Sequence, residues 1–361
     1  MNPTTPRLAA LDMGRGLAVF LMMLVHTLWM YADKTTQSAS LLGQVIHFIG
    51  KGTPSFLIIM GMSFMLSSRQ SLNSALTRGA MILMLAFGMN ILKFVVPISV
   101  FGTMPQEFIA AYGWSEPLNL SQLFYLALTG DILQLAGVSL FFLALIRHYI
   151  KNKYLILLIA FAILSVSREV SGYRPGIVGL DYVSDLFFSA SYQVYFPVFP
   201  WISFILFGMF MGIVIQENNG APAKLFKKLP LVAGLTLITG GALCYMNFDY
   251  HFGNFFHLGP GGVIYLLGIN LILLWSIQKL LASGINSRMI DLLFYFSKRV
   301  TSLYIIQWVL ICWGMGIIGF QSLGAIDTLA MMPVVVVLSL SVQRVVDMVK
   351  TWRSSPQLST E

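Results

Sequence analysis

The strongest constraint on this chain is a recurring run of about 20 apolar residues, each long enough to cross a bilayer as a helix. Ten such runs stand out, at roughly 16–32, 45–66, 78–97, 124–146, 153–167, 194–215, 229–246, 260–281, 300–319 and 328–348. In hydrocarbon every backbone polar group must find its partner inside the protein, so runs of this kind are helices. Only 10% of the 361 residues are charged and 57% are hydrophobic, whereas soluble domains carry about 25% charged residues. Such a chain cannot clothe a water-facing surface. The expectation is an all-α, polytopic membrane protein with about ten transmembrane helices, forming one integral-membrane domain over residues 1–361. The fifth run is short. The stretch 98–123, with its Gly, Pro and aromatic residues, reads as an interfacial or re-entrant excursion.

Orientation follows from Lys and Arg, which are enriched in cytoplasmic loops. One side holds Arg7, Arg15, Arg69, Arg78, Arg147, Lys151, Lys153, Lys224, Lys227, Lys228, Lys279, Arg288, Lys298, Arg299, Arg344, Lys350 and Arg353. The other holds Lys34, Arg168 and Arg174, with Lys51 near a helix end. This alternation predicts both termini in the cytoplasm. It also explains the net charge of +8 without a nucleic-acid partner. The first run carries a histidine and is read as a span, not a signal peptide, although Ser38-Ala39-Ser40 is a weak cleavage lookalike. Cys244 and Cys312 lie in apolar stretches without metal-ligand spacing, so neither a disulfide framework nor a metal site is expected.

Polar residues inside the runs carry the functional argument. Arg15 and His26 both fall on the first span, eleven positions apart, which is three helical turns and ~16 Å along the axis. Both side chains therefore share nearly one face, Arg15 at the membrane surface and His26 near mid-bilayer. An ionisable residue at that depth is by default a functional candidate, and imidazole exchanges protons near neutral pH. The structural alternatives are a His26 that merely bonds a neighbouring helix and an Arg15 that anchors the topology by snorkelling, paired with Asp12 three residues earlier.

Asp131 and Gln134 open an apolar run as Asp-x-x-Gln, the pattern of a capping box or of a polar contact at a cavity mouth. Tyr195-Phe196-Pro197-Val198-Phe199-Pro200-Trp201 enters the sixth run with two prolines that bend the chain. Its aromatics suit the interface or a stacking wall. Tyr173, Arg174, Asp181, Trp201 and His257 are the candidates for binding an acceptor from the non-cytoplasmic loops. Gly259-Pro260-Gly261-Gly262 lacks the setting of a phosphate loop, and Asn270 reads as packing. Arg69, Arg78, Arg147, Lys151, Lys153, Lys298 and Arg299 set topology, and some of them suit the phosphates of coenzyme A.

Arg7-Leu8, Leu11-Asp12 and Arg15-Gly16, followed by an apolar run and His26, resemble the start of the transmembrane acyltransferases. The Arg-x10-His spacing resembles acyltransferase family three, which includes bacterial polysaccharide O-acetyltransferases. Further features are similar to the heparan-alpha-glucosaminide N-acetyltransferase-like branch: Pro54-Ser55-Phe56 with Ile59-Met60-Gly61, Asp131-Ile132-Leu133-Gln134, and Phe196-Pro197-Val198-Phe199-Pro200-Trp201 leading to Phe207-Gly208-Met209. Tyr304 with Gln307 stands where related chains often have Tyr-x-x-His.

The resemblance implies a membrane enzyme, in a bacterial cytoplasmic membrane, that uses acyl-CoA (acetyl-CoA foremost) as co-substrate and no metal. His26 would be catalytic and Arg15 would hold the donor. The acceptor would be a hydroxyl or amine of an envelope glycan or glycolipid. The rival class is a transporter of a lipid-linked sugar or small solute, which the absence of a clear internal repeat disfavours. A non-catalytic scaffold leaves the polar pair on the first span without a purpose.

Overall fold

Nine helices among the described residues are long and apolar enough to span a bilayer. The computed structural model describes residues 8–354 except 69, 178, 219–220 and 285–286, and not the side chains of 353 and 354. Arg7 and Arg69, and the side chain of Arg353, lie outside that set. In chain order the main helices are α1 (Ala9–Tyr31), α2 (Leu41–Gly50), α3 (Thr53–Leu66), α4 (Leu72–Phe101), α5 (Ile132–Tyr149) and α6 (Lys153–Val166). They continue with α7 (Val198–Glu217), α8 (Ala223–Met246), α9 (Pro260–Ala282), α10 (Arg288–Lys298), α11 (Val300–Ile318) and α12 (Ala325–Ser354). No strand occurs among the described residues, only the isolated bridges Ala32–Leu323 and Gly130–Val194. The protein is an all-α, integral membrane protein.

The spans depart from the sequence expectation where polar groups intervene. The fifth run yields α6, 14 residues and so ~21 Å long, short of a ~30 Å hydrocarbon core. The run 45–66 breaks at Lys51-Gly52 into α2 and α3, and Asn270 Nδ2 on α9 donates to the Lys51 carbonyl at 3.0 Å. The run expected at 124–146 begins only at Ile132. There Asp131 Oδ1 accepts the Ile132 N–H at 2.7 Å and Gln134 Oε1 accepts the Asp131 N–H at 3.0 Å, so Asp131 caps α5 instead of lying inside it. The sixth run starts at Val198 because the chain just before it is tied to Gly130, whose N–H donates to Gln193 O at 2.7 Å and whose carbonyl accepts from Tyr195 N at 2.9 Å. Residues beyond Phe101 form two short helices, Gln106–Ala110 and Leu120–Ala127. Between them Trp114 stacks on Tyr112 at 5.0 Å and meets Tyr125 edge-on.

α1 is the central element. It packs on α2, α3, α9, α10, α11 and α12, and most of its length is buried. Small residues let the backbones close up, as is usual where helices associate in lipid. A Cβ on Gly16 would lie 1.9 Å from the Leu293 carbonyl oxygen of α10. The crossing of α3 and α7 is reciprocal: a Cβ on Gly61 would meet Ile205 O at 1.9 Å, and one on Gly208 would meet Ile58 O at 1.9 Å. Both contacts are with backbone, which cannot rotate aside. Gly61→Val is expected to destabilise the fold by about 1–3 kcal/mol or more, read as a lower thermal midpoint in detergent. Gly88→Ala, where nothing lies within 4 Å of the added carbon, is expected not to lower it.

Candidate active site

Two cavities open on one face of α1. The first, about 350 Å³, is lined by His26 and Trp29 of α1, Lys51 at the break in the second span, Asp131, Tyr192, Phe256 and Tyr304, among others. The second, about 690 Å³, is lined by Asp12 and Arg15 of α1 together with Arg78, Lys298, Arg299, Asp347 and Lys350. Residues near both ends of the described chain, Leu8 and Lys350, line it. Five bases and two carboxylates line it, so it favours an anion. Arg15 pairs with Asp12, whose Oδ1 also accepts from Ser297 Oγ at 3.2 Å. Arg299 Nε bonds Asp347 Oδ2 at 2.5 Å.

The two cavities follow one another along α1, residues 8–15 lining the second and 17–29 the first. Four helices line both: Arg15 and Leu17 of α1, Phe56 and Ser55 of α3, Leu133 and Ile132 of α5, and Ser302 and Tyr304 of α11 fall on opposite sides of the division. Residues one or two positions apart thus face different chambers. No described residue lines both chambers.

His26 stands in the first cavity with its ring fixed on several sides. Its Nδ1 meets the amide of Gln307, with Nε2 at 2.8 Å and Oε1 at 3.2 Å. Trp308 stacks on it at 3.9 Å and 25°, and Tyr304 meets it edge-on at 5.9 Å. Tyr304, Gln307, Trp308 and Ile311 form an i, i+3, i+4, i+7 stripe on the buried face of α11, which is how one helix delivers three contacts to one imidazole. His26 Nε2 bonds no described residue. The neutral amide serves whichever tautomer the chemistry needs, since Gln presents both a donor and an acceptor.

Beside this ring lies a buried ion pair. Lys93, only 2% exposed, sits in a π-helical turn of α4, Ile91–Val95, a feature that often marks functional sites. Its Nζ is 3.8 Å from Asp131 Oδ2 and 4.4 Å from the Trp308 ring centre. Tyr304 Oη donates to the same Asp131 oxygen at 2.9 Å. The loop that presents Asp131 is itself clamped: Asn90 Nδ2 donates to Ala127 O at 3.0 Å and Thr129 O at 2.6 Å, and Gln134 Nε2 to Thr129 O at 3.1 Å. Asp131 and Gln134 thus form the capping box while Asp131 also lines the cavity. Lys93, Gln307 and Trp308 were not among the candidates read from the sequence. A lysine within a long apolar run was the available signal for the first of them.

The loop candidates stand back from the first cavity. Arg174 forks onto Asp185, Nε–Oδ1 2.8 Å and Nη2–Oδ2 2.5 Å, and Asp185 raises the guanidinium pKa further. Asp181 accepts from the backbone of Gly176 and Ile177 at 2.8 and 3.2 Å. Tyr173 is exposed and its carbonyl accepts from Ser184 Oγ. Trp201 is fully buried and donates to Phe256 O at 2.7 Å. His257 Nε2 donates to Val194 O over 3.3 Å, and burial holds its imidazole below the ordinary value. Trp201 and His257 brace the loops that supply Phe256 and Tyr192 to the cavity. Tyr173, Arg174 and Asp181 shape the outer loop alone.

The family model described as heparan-alpha-glucosaminide N-acetyltransferase, catalytic, matches residues 7–248. That range carries Arg15, His26, Lys93 and Asp131 and ends before Tyr304 and Gln307. No curated protein matches the chain.

Removing one member of a buried ion pair leaves the other charge uncompensated, at about 3–5 kcal/mol, whereas replacing both is far less harmful. Lys93→Met alone should therefore lower the thermal midpoint sharply. Lys93→Met combined with Asp131→Asn should recover part of that loss, and strict additivity of the two single changes would disprove the coupling.

Proposed function

We infer the function from one premise: the chain belongs to the heparan-alpha-glucosaminide N-acetyltransferase catalytic family. It is a membrane acetyltransferase. In our reading it moves an acetyl group from cytoplasmic acyl-CoA to a hydroxyl or amine of an envelope glycan or glycolipid in a bacterial cytoplasmic membrane, with both termini in the cytoplasm. The Arg15–His26 spacing extends the kinship, on the same reading, to acyltransferase family three.

The observation that carries this is the pair of successive cavities along α1, with His26 in one and a cationic lining in the other. The phosphates of the donor suit Arg15, Arg78, Lys298, Arg299 and Lys350. The pantetheine arm, long and thin, runs along α1 from the second cavity toward the first. Its thioester then reaches His26, while the acceptor enters the first cavity from the opposite side and stacks on Trp29, Tyr192 and Phe256. Such an arrangement joins a donor and an acceptor that never share a compartment.

With the Gln307 amide turned so that Oε1 faces the ring, Nδ1–H donates to it and the Nε2 lone pair is free. Nε2 then removes the acceptor proton as the acceptor attacks the thioester carbonyl, and the departing thiolate takes that proton back. Gln307 holds the tautomer without adding charge. The Trp308 stack keeps the ring from turning. The second route for the same nitrogen is a transient acyl-imidazole.

The test is transfer from labelled acetyl-CoA by purified protein in lipid nanodiscs. His26→Ala should cut transfer by about 10²–10⁴-fold, the usual worth of a general base, with an unchanged elution profile. Gln307→Leu should cost about 3–10-fold in kcat, equivalent to one neutral hydrogen bond of about 0.5–1.5 kcal/mol. Label retained on the protein in the absence of acceptor identifies the acyl-imidazole route. An intact thioester alongside solute movement into vesicles would replace this reading with transport.

A further inference from the structure

The charges around the first cavity say which acceptor it takes. Among its lining residues Asp131 is the one carboxylate, against Lys51, His47 and His26. Asp131 is also fully engaged. Its Oδ1 receives the Ile132 N–H at 2.7 Å, and its Oδ2 receives Tyr304 Oη at 2.9 Å beside Lys93 Nζ at 3.8 Å. An ammonium group entering this space would find no free carboxylate, and a buried lysine already neutralises the one that is there. Lys51 differs. It forms no ion pair among the described residues and rests over the Phe252 ring at 5.4 Å. His47 lies one helical turn before it on the same wall. The cavity thus presents an uncommitted cation and aromatic faces, and repels a second cation.

We propose, resting on the transferase reading above, that the acceptor is an anionic sugar whose nucleophile is a hydroxyl, with Lys51 and His47 holding its carboxylate or phosphate. The hydroxyl oxygen forms a bond to the acyl carbon, the carbon–sulfur bond breaks, and its electron pair leaves on the coenzyme A sulfur. The hydroxyl proton passes to His26 Nε2 and from there to that thiolate. The products are an ester and free coenzyme A thiol, with no oxidant or other co-reactant. An amine acceptor would have to enter as its ammonium ion near neutral pH, against Lys51 and with no free carboxylate to hold it.

The experiment uses the full chain in nanodiscs with three alkyl glycosides of matched chain length: a glucuronide, a glucoside and a glucosaminide. Binding is followed by intrinsic tryptophan fluorescence in His26→Ala, and transfer from acetyl-CoA is followed in the unchanged protein. The expected binding order is glucuronide, glucoside, glucosaminide, with about a tenfold preference for the first over the second, the scale of one partly buried charge contact. The expected product is alkali-labile, as an ester is and an amide is not. Lys51→Met should collapse the glucuronide-to-glucoside ratio toward one, and Lys51→Arg should restore it. A sugar phosphate in place of the glucuronide separates the two anion sources. Tightest binding of the glucosaminide, an alkali-stable product, or a ratio untouched in Lys51→Met overturns the proposal. The expected binding order without any consumption of acetyl-CoA upholds the acceptor class and overturns the transferase reading instead.

Discussion

The contacts around His26 depend on how Asp131 is held. A carboxylate in a low-dielectric interior is tolerable only when paired and hydrogen-bonded. Here the start of α5 supplies the backbone N–H of Ile132, α11 supplies the Tyr304 hydroxyl and α4 supplies Lys93. One side chain therefore joins three helices. Lys93 reaches it because α4 widens into a π turn at that level. Through Trp308, which lies between Lys93 and His26, the same arrangement backs the imidazole with a rigid wall.

The consequence for the reaction is geometric. On the proposed reading, a donor from one aqueous phase and an acceptor from the other meet inside the bundle. The bundle provides two chambers that share four helices. Backbone contacts at Gly16 and at the Gly61–Gly208 crossing fix α1 and α3, two of those four, against their neighbours.

Much of this was legible in the chain. The spans followed from apolar length, and the separation of Arg15 from His26 followed from helical period. Asp-x-x-Gln named the α5 cap, and the structure gives Asp131 its cavity role as well. What escaped were contacts between distant segments. Lys93 drew no reading from the sequence, and only the fold brings it to Asp131, 38 positions away in sequence order. Gln307 was noticed as a departure from Tyr-x-x-His, yet nothing local shows that its amide meets His26 across 281 residues. The breaks at Lys51-Gly52 and before Ile132 were hidden because hydropathy sums over a window and does not register a two-residue interruption.

The interrupted second span has a further implication. Where α2 stops and α3 begins, the wall of the first cavity includes Gly50, Lys51, Gly52 and Thr53, and the chain there is pinned by the Asn270 amide on the Lys51 carbonyl. Two of those four positions offer no side chain at all. The side chains of that stretch therefore come from Lys51 and Thr53 alone, in a cavity whose loops add Tyr192 and Asn254–Phe256. A change at Lys51 alters the charge of the chamber, whereas divergence in the loops alters its shape.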